Sequence, residues 1–211
     1  EKIDAKAYSC STFMLYLGLD TVLPGLAHHT ICLSRDYDRN IREIEEGLAP
    51  TDPSIYVQNA SVTDPTLAPP GHSALYVLVP VGNLSGGVDW PALAPAYREM
   101  TLDRLSRFVG HDVRPHIRTE RMLTPADWEA QGIHLGATFN LAHNLGQMLH
   151  RRPRNRFEDV DGVYLTGGGT HPGSGLPTIF ESARIATRLL AKDLGLDAGH
   201  VLTSAMAEAA E

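Results

Sequence analysis

Residues 162–190 read GVYLTGGGTHPGSGLPTIFESARIATRLL. The run Val163-Tyr164-Leu165-Thr166 is short, apolar and rich in β-formers, the pattern of a buried strand at the centre of an α/β sheet. Glycines at 167, 168, 169, 173 and 175 follow, with Pro172 and Pro177 among them. Such a stretch permits backbone conformations that a Cβ forbids and lets a ligand approach main-chain N–H groups. From Thr178 the pattern turns helical: Ile179, Phe180, Ala183, Ala186, Leu189 and Leu190 recur at intervals of three and four, with Arg184 and Arg188 on another face, so that Phe180 stands in a stripe that is either core or surface. Pro177 suits a first helical turn, where the N–H it lacks has no intrahelical partner anyway. Strand, glycine loop and helix thus aim the positive end of a helix dipole and free amides at the loop, which suits an anion or an electron-rich ring. A plain tight βα connection has the same pattern, and the spacing matches neither G-x-G-x-x-G nor G-x-x-x-x-G-K-[ST].

The 211 residues carry a formal net charge of −7 and are 43% hydrophobic, ample for a core and unsuited to nucleic acid, which demands a basic face. No apolar run approaches the roughly 20 residues that span a bilayer, although a peripheral membrane contact stays open. Cys10 and Cys32 lack C-x-x-C spacing and read as reduced core residues, so a cytoplasmic chain is expected. The first residue is Glu1 rather than methionine, and a strand-like run follows almost at once, as expected for the carboxy-terminal part of a longer protein.

Along the chain, residues 8–17 alternate as a strand, with Phe13, Leu15 and Leu17 on one side and Cys10, Met14 and Tyr16 on the other. Both faces are apolar, which fits a sheet with one face on the core and one lining a greasy cavity, or burial between two protein layers. His28 and His29 precede the strand 30–34, where neighbours point to opposite faces, so one is expected buried, the other exposed, and no metal role follows. Residues 36–46 read as a charged surface helix stopped by Gly47, and Ile55–Val57 and Leu75–Val79 as further strands. Strands joined without long helices imply an antiparallel sheet. Residues 90–109 form an amphipathic helix whose stripe, Leu93, Tyr97, Met100, Leu105, Phe108 and Val109, packs on the sheet or lies in a membrane headgroup layer. Residues 112–121 read as a strand, and Thr124-Pro125-Ala126-Asp127 opens a short helix. His134, His143 and His150 lack carboxylate or cysteine companions at ligand spacing. Arg151, Arg152, Arg154 and Arg156 form the one basic patch, a solvated loop or a contact to dinucleotide phosphates or anionic headgroups.

The run Gly167-Gly168-Gly169-Thr170-His171-Pro172-Gly173-Ser174-Gly175-Leu176-Pro177 resembles the carboxy-terminal flavin motif of bacterial-type phytoene desaturases and related carotenoid desaturases. YSCSTFMLYLGLD from Tyr8, LPGLAHHTI from Leu23, DPSIYVQNASVTDPTLAPPG from Asp52, YVLVPV from Tyr76 and ERMLTPADW from Glu120 resemble that family in the same order. The resemblance implies an α/β chain of mixed α+β character: the carboxy-terminal part of a two-domain FAD-dependent oxidoreductase of the amine-oxidase-like superfamily. Its antiparallel substrate-domain sheet, within residues 1–115, would precede the closing strand-loop-helix of a Rossmann-like FAD domain at 116–195 and a tail at 196–211. The activity implied is desaturation of a long isoprenoid polyene such as phytoene in carotenoid biosynthesis. A carotenoid oxygenase or isomerase on the same scaffold, or a non-catalytic carotenoid- or lipid-binding fragment, are the alternatives. FAD contacts fall on Gly167, Gly168, Gly169, His171, Gly175, Leu176, Thr178 and Ile179. Related flavoenzymes carry an acidic residue where this chain has Gly168, so contacts there would come from backbone amides. The family opens with a G-x-G-x-x-G unit for the adenine half of FAD, and none occurs here. An amino-terminal FAD-binding half is therefore the expected partner, beside the apolar polyene, and no catalytic side chain stands out.

Overall fold

The computed structural model describes residues 3, 5–197 and 199; most of the expected tail lies outside them. Two compact units emerge, residues 10–138 and residues 1–9 with 139–211.

The first unit is a five-stranded sheet in the order β2-β3-β4-β1-β5, formed by β1 (Ser11–Leu19), β2 (His29–Cys32), β3 (Ile55–Asn59), β4 (Ser73–Val81) and β5 (Ile117–Leu123). Every pairing is antiparallel, and β1 lies opposite β4 with Leu15 facing Val77 and Tyr16 facing Tyr76. The alternation along β1, β3 and β4 sends Phe13, Leu15, Val57, Val77 and Val79 to one face, where none is measurably exposed. Helix α1 (Tyr37–Glu45) is capped by Asp36, whose carboxylate accepts from Arg39 N–H at 2.9 Å, and Gly47 at φ +80° follows it. Helix α2 (Trp90–Val109) packs on the buried face through Trp90, Ala94, Tyr97, Leu102 and Leu105. The Phe13 ring lies 5.9 Å from Trp90 and 5.1 Å from Tyr97, edge-on to the latter. Tyr97 donates to Pro50 O at 3.2 Å, and burial pushes its phenol well above the usual range.

Several expectations change here. Phe108, expected in the stripe of α2, is 48% exposed, because the buried face follows Trp90, Ala94, Tyr97, Thr101 and Leu105 instead. β5 bonds to β1, and residues 10–138 form one compact unit. The rings of His28 and His29 approach to 4.3 Å instead of diverging, since His28 precedes the strand; His28 bonds Thr63 Oγ1 and His29 bonds the Tyr56 hydroxyl. Cys32 is a buried thiol. Helix α3 (Pro125–Ala130) opens on a reciprocal Thr124–Asp127 capping box.

The second unit holds the glycine loop and helix α4 (Leu176–Asp193). Residues 163–166 do not form the expected sheet strand. Tyr164 makes a single antiparallel bridge to Arg156, Phe157 N–H and Leu165 N–H bond Val163 O and Asn155 O, and Val163 is 39% exposed. A strand needs neighbours on its hydrogen-bonding edges, and among the described residues only 155–157 supply one. α4 buries Ser182, Ala186 and Ala191 and leaves Phe180 71% exposed, so its packed side is small and polar rather than aromatic.

Phe13→Ala is expected to cost about 3–5 kcal/mol, because it empties the centre of an aromatic cluster; urea unfolding checks it. Phe180→Asp in the same assay is expected to stay within about 0.5 kcal/mol of the parent.

Candidate functional site

The glycine loop takes its shape from a buried polar cluster. Ser182, wholly buried on α4, accepts from Asn155 Nδ2 at 2.9 Å and from Gly167 N–H at 3.2 Å, and its hydroxyl lies 2.8 Å from that of Thr170. Asn155 also donates to His171 O at 3.0 Å and Leu165 O at 3.2 Å, so one buried amide ties both sides of the loop to the helix. Thr170 N–H and hydroxyl both return to Gly167 O, and His171 N–H bonds Pro153 O. Buried polar groups are costly unless partnered, and here each partner fixes a backbone position.

A second support lies beneath Gly168. Arg152, only 3% exposed, donates to Gly168 O at 2.7 Å and Leu141 O at 3.2 Å. The side chain of Asn140, itself at φ +61°, occupies the space beside Gly168 and Gly169 where side chains would project. His143 Nε2 accepts from Ser174 N–H at 3.3 Å and pairs with its hydroxyl at 3.0 Å; burial, then the Arg152 charge, hold this imidazole below its ordinary pKa.

The expected site residues therefore sit on one loop and one helix start, with differing availability. Gly167 N–H is used by Ser182, and Ile179 N–H closes the first helical bond to Gly175 O at 2.9 Å. Thr178 turns its hydroxyl back to Ser174 O and Gly175 O, while Leu176 is exposed at the helix start. The amides of Gly168, Gly169, Gly175, Leu176 and Thr178 take no hydrogen-bond partner among the described residues. Gly175, at φ +99°, places no side chain over the α4 terminus and caps it with none. This cluster of free amides at the positive end of an 18-residue helix suits an electron-rich or anionic group. No group of histidine, cysteine and acidic side chains able to hold a metal occurs among the described residues.

Sequence reading singled out the loop but missed what holds it. Asn155 sits inside an arginine run and Ser182 inside an apolar helix; the only signal was a small polar residue on a helical face at the spacing of Ala186.

In the sheet unit, the face away from α2 carries Tyr16, Tyr56, Tyr76 and Leu78. Tyr16 and Tyr76 rings lie 5.4 Å apart, Tyr76 and Tyr56 6.0 Å, and Tyr56 and His29 6.0 Å, an aromatic row crossing four strands. Tyr16 and His29 are exposed and Tyr56, Tyr76 and Leu78 half-buried, so the row is open to a ligand.

No protein-family model matches the chain. Among curated proteins, it is 53% identical over 195 residues to a 4,4'-diapophytoene desaturase (4,4'-diapolycopene-forming) of Methylomonas sp, covering 91% of this chain and 38% of that protein. It is 46% identical over 196 residues to the all-trans-zeta-carotene desaturase of Myxococcus xanthus, covering 92% and 37%. It is 40% identical over 195 residues to the phytoene desaturase (lycopene-forming) of Pseudescherichia vulneris, covering 91% and 40%. The chain thus spans about two-fifths of the length of these relatives.

The His143–Ser174 contact makes the loop sensitive to acid. The folded-state pKa of His143 is depressed, so its contribution is complete above the unfolded value of about 6.5 and is lost as pH falls through the lower folded value. The protection factor of the Ser174 amide, its exchange relative to the intrinsic rate at the same pH, is expected to fall on acidification below that range, and His143→Gln, which keeps an acceptor without titrating, is expected to flatten the profile.

Proposed function

The chain belongs to the carotenoid desaturase family, and from that premise we propose that it forms part of an FAD-dependent enzyme that desaturates a long isoprenoid polyene such as phytoene. The observation that carries the cofactor half of this reading is the set of unpartnered amides from Gly168 to Thr178 at the α4 terminus. A flavin presents an electron-rich edge of carbonyl and ring nitrogen, and donors aimed there favour its reduced form. FAD, when bound, supplies the hydride acceptor. The residues of this chain hold and orient it: Gly168 and Gly169 contribute backbone N–H groups, Gly175, Leu176 and Thr178 contribute the helix terminus, and Gly167, His171 and Ile179 shape the loop. The adenine half would be bound by the part of the family's length that this chain does not span.

An unfunctionalised polyene offers no hydrogen-bonding handle, so its site must be a wall of apolar and aromatic side chains. The open sheet face with Tyr16, Tyr56, Tyr76 and Leu78 supports that role. These flat rings can lie along an extended chain without a polar group to desolvate. No helix among the described residues is long and apolar enough to cross a membrane; the proposed enzyme draws its substrate from the bilayer by peripheral contact.

The test mixes the complete gene product, reconstituted with FAD, with phytoene in liposomes under anaerobic conditions while flavin absorbance is followed and pigments are extracted. Bleaching together with polyenes of longer conjugation is expected. An oxygenated or isomerised product with no added double bond, or retained flavin that never bleaches, would overturn the reading. Gly168→Asp is expected to abolish flavin retention, since its Cβ alone would lie 3.1 Å from both Asn140 Nδ2 and Ser174 Cβ; normal flavin content in a folded variant would contradict the assigned loop.

A further inference from the structure

The arginine run at 151–156 does not behave as one surface. Arg154 pairs with Glu158 at 3.1 Å and Arg156 with Asp193 at 2.6 Å, both in the open. Arg152 turns inward, and no carboxylate lies within salt-bridge range of it among the described residues. Its Nη atoms reach only backbone carbonyls, and its buried Nε has no partner. A buried guanidinium without a counter-ion is costly, and its usual remedy is a nearby anion.

Arg152 lines a cavity of about 980 Å³ together with His150, Arg154, Arg156 and His171. A second buried nitrogen without a partner, His171 Nδ1, belongs to this same lining. The acids on the wall, Glu158 and Asp161, are both exposed, where water and salt screen them more than they screen Arg152. A permanent buried cation without a counter-ion, in the lining of a cavity that also holds His150, Arg154, Arg156 and His171, favours an oxyanion as the missing group. A neutral ligand would satisfy the hydrogen bonds and leave the charge uncompensated.

We propose that this cavity is a binding site for a phosphate or pyrophosphate group, with Arg152 and His171 as its inner ligands and His150, Arg154 and Arg156 at its mouth. The pyrophosphate of the flavin dinucleotide and the headgroup of an anionic lipid present the same chemistry. Only the first of these rests on the flavin reading above.

The test is calorimetric titration of the full chain with inorganic pyrophosphate at low and moderate salt, with FAD retention read separately from flavin absorbance. Binding that weakens with salt is expected, and Arg152→Gln is expected to weaken it by about tenfold or more, the effect of losing one charge-assisted contact. Arg152 also supports Gly168 O, so circular dichroism checks that variant's fold. Should it unfold, His171→Gln decides, and unchanged affinity there overturns the proposal, as does a parent chain that ignores pyrophosphate. If FAD displaces pyrophosphate, the cofactor is the source. If FAD does not, and phosphatidylglycerol vesicles sediment the chain while phosphatidylcholine vesicles do not, with pyrophosphate releasing it, the headgroup is the source. If the complete gene product binds pyrophosphate yet retains no FAD, the flavin reading fails and this site stands.

Discussion

The glycine loop depends on one fully buried hydroxyl. Ser182 Oγ meets Asn155, Thr170 and Gly167 N–H at distances of 2.8–3.2 Å, and these partners come from two separate stretches of chain. A loop so rich in glycine has a large conformational entropy to lose. Anchoring its first turn to a buried helix residue offsets part of that loss while leaving the outward amides unused. Conventional caps satisfy a helix start with a side chain; here Gly175 leaves the start of α4 open, and the cost is met by hydrogen bonds on the inner side of the loop.

The sheet unit shows a parallel asymmetry built from apolar contacts. Strict alternation in β1, β3 and β4 commits one face to α2 through Phe13, Trp90 and Tyr97. The opposite face then receives what stands at the intervening positions, which carry no charge and include Tyr16, Tyr56 and Tyr76. Antiparallel sheets usually place polar side chains on their second face. An aromatic row there is a departure that suits an apolar, extended ligand better than water.

Much of the fold was legible in the sequence because its signals are local. Asp36 before α1, the Thr124–Asp127 box before α3, Pro177 at the start of α4 and the alternation of β1 and β4 each depend on residues a few positions apart. The expectations that changed all concern long-range packing. Val163–Thr166 is apolar enough for a central strand, yet finds a single short neighbour. Phe180 belongs to a helical stripe, yet the side of α4 that packs is the one with Ser182 and Ala186. Arg152 stands in a charge run, a pattern that normally faces water, and is buried because carbonyls at 141 and 168 converge on it.

The sequence by itself determined the type of most elements, the antiparallel sheet and the family, since periodicity, caps and ordered motifs are written in neighbouring residues. Only the tertiary structure decided which face of each helix is covered, which arginine lost its water and which loop amides remain unpartnered. Burial and hydrogen-bond satisfaction depend on groups brought together from distant parts of the chain, and a linear pattern records a residue's preference without recording what stands opposite it.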